Sequence, residues 1–302
     1  MTHLPPIYLP NNPNPPLAMM QKFIYPDWVA RHNYSYTKLS EIPTQLLEDL
    51  RQKLERFNID APEVSIVIPA YNEEAELLKS LSSFSELTIP LKTEIIIANN
   101  NSTDRTQALL DTLGVKSVFQ PLQGVSYARQ AGLEAARGTY ILNGDADSIY
   151  APDWGIAHVE ILRTQPDVTC VYGRYSFVPT EDSSRFRLAL HELAAETAYA
   201  LRGKGMESAS VRGCNFAYRK ADAMKVGGFK HNLDRSNTAR CEDGWMALEL
   251  SELGKIHYLG TSDQVWTSSR RLLEQGSLLR ATYSRFKLYM REFYRREKAI
   301  AH

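Results

Sequence analysis

Apolar residues along the middle of the chain fall into two alternating patterns. Val64-Ser65-Ile66-Val67-Ile68-Pro69 and Glu94-Ile95-Ile96-Ile97-Ala98 are nearly continuous runs, as parallel strands buried on both faces require. Between and after them, Leu77, Leu78, Leu81 and Phe84, then Leu109, Leu110 and Leu113, recur at helical spacing. Val115 to Phe119 predicts a third strand, Gly124 to Arg137 an alanine-rich helix closed by Gly138, and Tyr140 to Asn143 a fourth strand. Further helices are expected over 152–164, 185–202, 220–226 and 242–253, and strands at 168–172, 216–218 and 255–259. Upstream, residues 40–58 predict a covering helix, with Ser40 as a cap, Pro43 in the first turn and Leu46, Leu47, Leu50, Leu54 and Phe57 on one face.

Strands alternating with helices predict an α/β fold: an open, mostly parallel central sheet with helices on both faces. In such sheets ligands sit beyond the carboxyl ends of the strands. The polar loops at 70–74, 99–104 and 144–148 all leave strands at that edge, so three segments separated in sequence converge on one crevice. At Gly144-Asp145-Ala146-Asp147 two carboxylates one residue apart can face one hard cation, magnesium or manganese, with a nucleotide diphosphate supplying further oxygens. Gly and Asp are equally the residues of turns, and Ser148 to Pro152 reads as one.

Composition narrows this little. The 302 residues are 43% hydrophobic and 23% charged, ordinary for a folded protein. The 35 basic and 35 acidic residues cancel, which argues against nucleic acid as a partner. Cys170, Cys214 and Cys241 are too far apart for a cysteine zinc site or redox pair. No signal peptide and no apolar run of ~18 residues is evident, so a cytoplasmic protein, peripheral to a membrane at most, is expected. Residues 1–20 hold six of the 15 prolines and read as an extended arm. From Gly276 a basic amphipathic helix carries Leu279, Tyr283, Phe286, Met290 and Phe293 on one face. Such a helix packs on its own domain or on a second copy of the chain, or docks on an anionic membrane. No histidine is singled out by its spacing.

Taken together, the motifs resemble family 2 glycosyltransferases. Val64-Ser65-Ile66-Val67-Ile68-Pro69-Ala70-Tyr71-Asn72-Glu73 is similar to that family's opening, and Asn101-Ser102-Thr103-Asp104 to its second nucleotide loop. Gly124-Val125-Ser126-Tyr127-Ala128-Arg129, then Gly138 and Asp145-Ala146-Asp147, resembles its central block. Val226-Gly227-Gly228-Phe229 followed by Glu242-Asp243 resembles the acceptor half, and Trp266 to Arg271 a late segment in which Ser268 and Arg270 could touch phosphates. Order and spacing match from about 63 to 270. The resemblance implies a GT-A (Rossmann-like) domain over 63–270, preceded by an arm and covering helix over 1–62 and followed by the basic helix over 271–302.

It also implies transfer of a sugar, with inversion, from a nucleotide-diphosphate sugar to an acceptor hydroxyl on a glycan or a lipid-linked carrier. Pro69, Ala70, Tyr71 and Glu73 would line the nucleoside pocket. Asn100 stands where the family often has an aspartate reading the base; an amide can still accept from a uracil N–H but can also donate, which leaves the base open, with UDP the first expectation and GDP and dTDP the others. Arg129 would approach the diphosphate or steady Asp145. Asp145 and Ala146 would lie by the ribose and metal, Asp147 would ligate manganese or magnesium, and Asp243 would be the base. At the first turn of its predicted helix Asp243 would be favoured in its ionised form. A sugar-nucleotide nucleotidyltransferase and a binding module without turnover are the alternatives. The first would usually carry a glycine-rich basic loop after the first strand, where Pro69 to Glu74 stands instead.

Overall fold

A computed structural model describes residues 22–200, 207–231, 241–260 and 263–273. The proline-rich arm over 1–20, the segment 203–206, most of the 231–240 loop and the basic helix from Gly276 lie outside the described residues.

The strands are β1 (Val64–Ala70), β2 (Thr93–Asn99), β3 (Ser117–Phe119), β4 (Tyr140–Asn143), β5 (Ser148–Ile149), β6 (Val168–Tyr172), β7 (Arg174–Phe177), β8 (Phe216–Arg219), β9 (Lys255–Tyr258) and β10 (Gln264–Thr267). The α-helices are α1 (Asp27–Ala30), α2 (Thr44–Leu54), α3 (Leu77–Phe84), α4 (Thr106–Leu113), α5 (Val125–Ala135), α6 (Ile156–Thr164), α7 (Arg185–Ala200), α8 (Lys220–Lys225), α9 (Glu242–Ser251) and α10 (Arg270–Leu273).

Seven strands form one sheet in the order β3-β2-β1-β4-β8-β6-β9. All its pairings are parallel except those of β8, which runs antiparallel between β4 and β6. Side chains alternate between two cores, as the two-residue period of a strand dictates. Ile66, Ile68, Ile95, Ile97, Leu142, Val171 and Ala217 face a core closed by α2, α3, α4 and α6. Val67, Ile96, Ile141, Cys170, Phe216 and Tyr218 face the other, closed by α5, α8 and α9. Helices thus cover both faces, as the near-continuous apolar runs predict.

Buried Glu94 lies among these strands. Its carboxylate accepts from Ser65 Oγ at 2.7 Å, from the Arg137 amide at 2.7 Å and from Lys116 Nζ at 2.9 Å. Burial alone would raise its pKa, but these bonds outweigh burial and hold the carboxyl below its ordinary value.

Some elements differ from expectation. The covering helix begins at Thr44, and Ser40 belongs to a separate 3-10 turn over Leu39–Glu41. Pro43 enforces this, because the residue before a proline is driven out of the helical region, and Ile42 sits at φ −77°, ψ 126°. Gly138 does not close a helix: α5 ends at Ala135, and Gly138 is needed for a close approach of backbones. A Cβ there would lie 2.7 Å from Ser65 N.

Ser148 and Ile149, read as a turn, form β5 in a second sheet of order β5-β10-β7. β7 and β10 are four-residue strands, too short for periodicity to declare them. This small sheet matters to function. The antiparallel pairing of Trp266 with Ile149 and Thr267 with Ser148 brings the late segment alongside the Asp-x-Asp turn.

Candidate active site

Two asparagines tie the first two loops together. Asn72, after β1, has a left-handed φ of 53°, and Asn101, after β2, one of 58°. Short polar side chains tolerate that region better than most. Asn72 Oδ1 accepts from Thr103 N at 2.8 Å, and Asn72 N donates to Ser102 Oγ at 3.0 Å. Glu73 N donates to Thr106 Oγ1 at 2.9 Å and Glu74 N to Asp104 Oδ2 at 3.0 Å. Ser102, Thr103 and Asp104 therefore fasten one loop to the other.

The loops open onto a cavity of about 630 Å³, whose lining includes Pro69, Ala70, Tyr71, Glu73, Asn100, Asp145, Ala146 and Asp147. The three convergent loops are thus found on one crevice, together with the amino end of α5 from Gly124 to Ala128. Asn100 is 4% exposed. Its amide nitrogen donates to Gln120 O at 3.2 Å and Leu122 O at 2.6 Å, and its amide oxygen accepts from Gly124 N at 2.7 Å. Only this orientation of the amide satisfies all three neighbours. Both donors are used, and the capacity left is one acceptor lone pair.

Both aspartates of the Asp-x-Asp turn are held in place. Asp145 N donates to the hydroxyl of fully buried Tyr150 at 2.7 Å, and that hydroxyl donates back to Asp145 O at 3.2 Å. Burial pushes the Tyr150 phenol well above its usual range, so it stays neutral. Asp147 O accepts from Ser268 N at 3.0 Å, and its carboxylate accepts from Thr267 Oγ1 at 3.4 Å. Beside them, Arg270 Nη2 meets both oxygens of Glu73, at 3.1 and 3.2 Å.

Arg129 joins this edge to α9. It is 1% exposed and does not line the cavity. Its Nη2 donates to Asp145 Oδ1 at 2.7 Å, and its Nε lies 3.0 Å from Asp243 Oδ1. Its guanidinium thus stands behind Asp145.

Asp243 sits in the first turn of α9, as the sequence predicts, but it is 4% exposed. Burial pushes its carboxyl up to about 7, against the pull of Arg129, and Glu242 and Asp145 push the same way. The helix dipole expected to keep it ionised is outweighed by desolvation. Gly213 packs against this pair: a Cβ there would stand 1.9 Å from Arg129 Nη2 and 2.7 Å from Asp243 Oδ2.

Three participants carry no sequence signal of their own. Tyr150 and Gly213 act through contacts made only in the fold. His231 stacks on Tyr127 with ring centroids 4.1 Å apart and planes 7° apart, and both rings line the cavity.

The lining carries three carboxylates, Glu73, Asp145 and Asp147, and no lysine or arginine among the described residues. Arg129 and Arg270 stand beside it, paired to Asp145 and Glu73. Such a wall of hard oxygen donors suits a divalent cation, and an anionic ligand would need one there. Among the described residues no group of three or more His, Cys, Asp or Glu side chains is placed to hold a metal ion.

Fold and cavity define an α/β protein with an acidic, cation-suited cleft at the carboxyl edge of its parallel strands. The chain belongs to glycosyl transferase family 2, whose model matches residues 65–227. It is 27% identical over 209 residues to a probable glycosyltransferase, YdaM, of Bacillus subtilis (strain 168), covering 65% of this chain and 48% of that one. The chain spans about half the length of the curated relatives it matches. Among solved structures it resembles the mannosyltransferase PcManGT from Pyrobaculum calidifontis, in complex with GDP-Man and Mn2+. That likeness has a TM-score of 0.55 at 16% identity, over 89% of this chain and 76% of that one. S. aureus TarS in complex with UDP-GlcNAc matches with a TM-score of 0.50 at 16% identity, over 68% and 58% of the two chains. The fold is that of the GT-A glycosyltransferases.

Among the described residues no helix is long and apolar enough to cross a membrane.

Proposed function

We propose that the chain is an inverting, metal-dependent glycosyltransferase, taking a sugar from a nucleotide diphosphate and passing it to an acceptor hydroxyl. The observation that carries this reading is Arg129, whose one buried guanidinium pairs with both Asp145 and Asp243. It joins the acid of the acceptor half to the acids of the cavity.

The nucleoside would lie against Pro69, Ala70 and Tyr71. The acceptor lone pair left on Asn100 suits a ring N–H, which uracil, thymine and guanine present and cytosine does not. This supports UDP, dTDP or GDP as the carrier. Solved neighbours hold GDP-Man with Mn2+ and UDP-GlcNAc, ligands of the same class.

Asp147, with Asp145 and Ala146 beside it, would hold manganese or magnesium, which when bound supplies Lewis-acid stabilisation of charge on the leaving diphosphate. Arg129 fixes Asp145 and so fixes the turn. Asp243 removes the proton of the incoming hydroxyl, whose oxygen bonds to the anomeric carbon from the face opposite the leaving group. A carboxylate poised near 7 is matched to that task at neutral pH.

The test is release of nucleoside diphosphate from a panel of UDP-, GDP- and dTDP-sugars with manganese, with and without EDTA. One donor should turn over, and EDTA should abolish the release. A folded chain that cleaves none of them, or one indifferent to EDTA, contradicts the reading. Pyrophosphate release from a nucleoside triphosphate and a sugar 1-phosphate would favour a nucleotidyltransferase instead.

A further inference from the structure

A second cavity, of about 580 Å³, shares no lining residue with the first. Nothing in the donor chemistry uses it. Its walls come from β7 and the residues just before it, from α7, from the 3-10 turn Glu207–Ser210 and from Tyr258 at the end of β9.

Aromatic rings and hydrogen-bonding groups meet in it. Tyr172 and Tyr258 stack with centroids 5.0 Å apart and planes at 28°. Tyr172 is 7% exposed and Tyr258 is 45% exposed, so Tyr258 keeps ring surface open after its contact with Tyr172. Tyr175 and Phe177 form an edge-on pair with centroids 5.4 Å apart. Around them stand the carboxylates of Glu192, Glu196 and Glu207 and the hydroxyl of Ser210.

Carboxylates outnumber cations in the lining, where Glu192, Glu196 and Glu207 stand against Arg174 alone. Arg185 pairs with Glu192 at 2.5 Å and Arg174 with Glu196 at 2.6 Å. Lys22 also bonds Glu196; neither Lys22 nor Arg185 lines the cavity itself. A cavity with an excess of carboxylates, ring faces and several acceptors offers little to an anion. It offers a flat apolar face and hydroxyl partners to a neutral sugar ring.

Two links tie this cavity to the transfer site. Ser210 in its wall is three residues from Gly213, which packs on Asp243, a reach of at most about 10 Å along the chain. Gly173, also in the wall, donates from its amide to Asn215 O at 3.1 Å, two residues beyond Gly213.

We infer that this cavity binds the acceptor, and that the acceptor presents a neutral pyranose that lies on Tyr258 and hydrogen-bonds to Glu207 and Ser210. As an acceptor site it rests on the transferase reading; as a sugar site it stands on the cavity itself.

Saturation-transfer NMR on the full chain tests it. The probes are methyl glucoside, galactoside, mannoside and N-acetylglucosaminide, with methyl glucuronide as the anionic control and UDP with magnesium as the probe of the first cavity. At least one neutral pyranoside should bind, and the glucuronide should bind more weakly. Tyr258→Ala and Glu207→Gln should each weaken the neutral pyranoside at least tenfold and leave UDP binding unchanged. Absence of binding by every pyranoside, binding unaltered in both variants, or a glucuronide that binds equally well overturns the inference. Failure of UDP to bind counts against the first cavity alone, and the pyranoside result still decides this one.

Discussion

Gly213 occupies a position where no side chain fits. An added methyl would meet the guanidinium of Arg129 at 1.9 Å. Gly213→Ala should therefore displace Arg129 from Asp145 and Asp243, lowering stability by about 2 kcal/mol in denaturant melts and turnover by at least tenfold. Asp243 sets a second expectation at this scale. Burial raises its carboxyl to about 7. The base form then grows as pH rises through that value, so kcat/KM should climb with a limb near pH 7 and level off above it. A profile flat from pH 5 to 8 would remove Asp243 as the titrating base. The acids Asp145, Asp147 and Asp243 were legible in the sequence because they stand in ordered motifs. Tyr150, Gly213 and His231 were not, because a hydroxyl on a backbone amide, a missing Cβ and a stacked ring exist only once distant segments meet.

At the scale of elements, strands and helices announced themselves through periodicity, and the two cores follow from alternate residues of β1, β2 and β4. The direction of β8 did not, since an apolar run looks the same whichever way it is threaded. The small sheet of β5, β7 and β10 was silent for want of length, although it brings Thr267 and Ser268 to Asp147. Loop architecture turned on one residue. Asn72 holds a left-handed φ of 53° and accepts from Thr103 N at 2.8 Å. Asn72→Ala loses both the local fit and the bond and should cost about 2 kcal/mol. Asn72→Gly loses only the bond, so it should fall about 1 kcal/mol short of the wild type. Equal melts for the two variants would show that backbone conformation contributes nothing here.

For the whole molecule, the amino-terminal half and the later half are joined by ion pairs at the cavity edge as well as through the sheet. Arg270 reaches Glu73 at 3.1 Å, and Arg129 reaches Asp243 at 3.0 Å. The order of motifs along the chain pointed to one site, but the shared guanidinium that makes it one is a property of three dimensions. In the proposed function, Asp243 serves as the base of that joined site. The most direct measurement compares Asp243→Asn with the wild type in manganese, following both turnover of the preferred nucleotide sugar and its binding by thermal shift. Turnover should fall about a thousandfold while the donor's stabilising shift is kept. Near-normal turnover in a variant that still binds donor would remove Asp243 as the base.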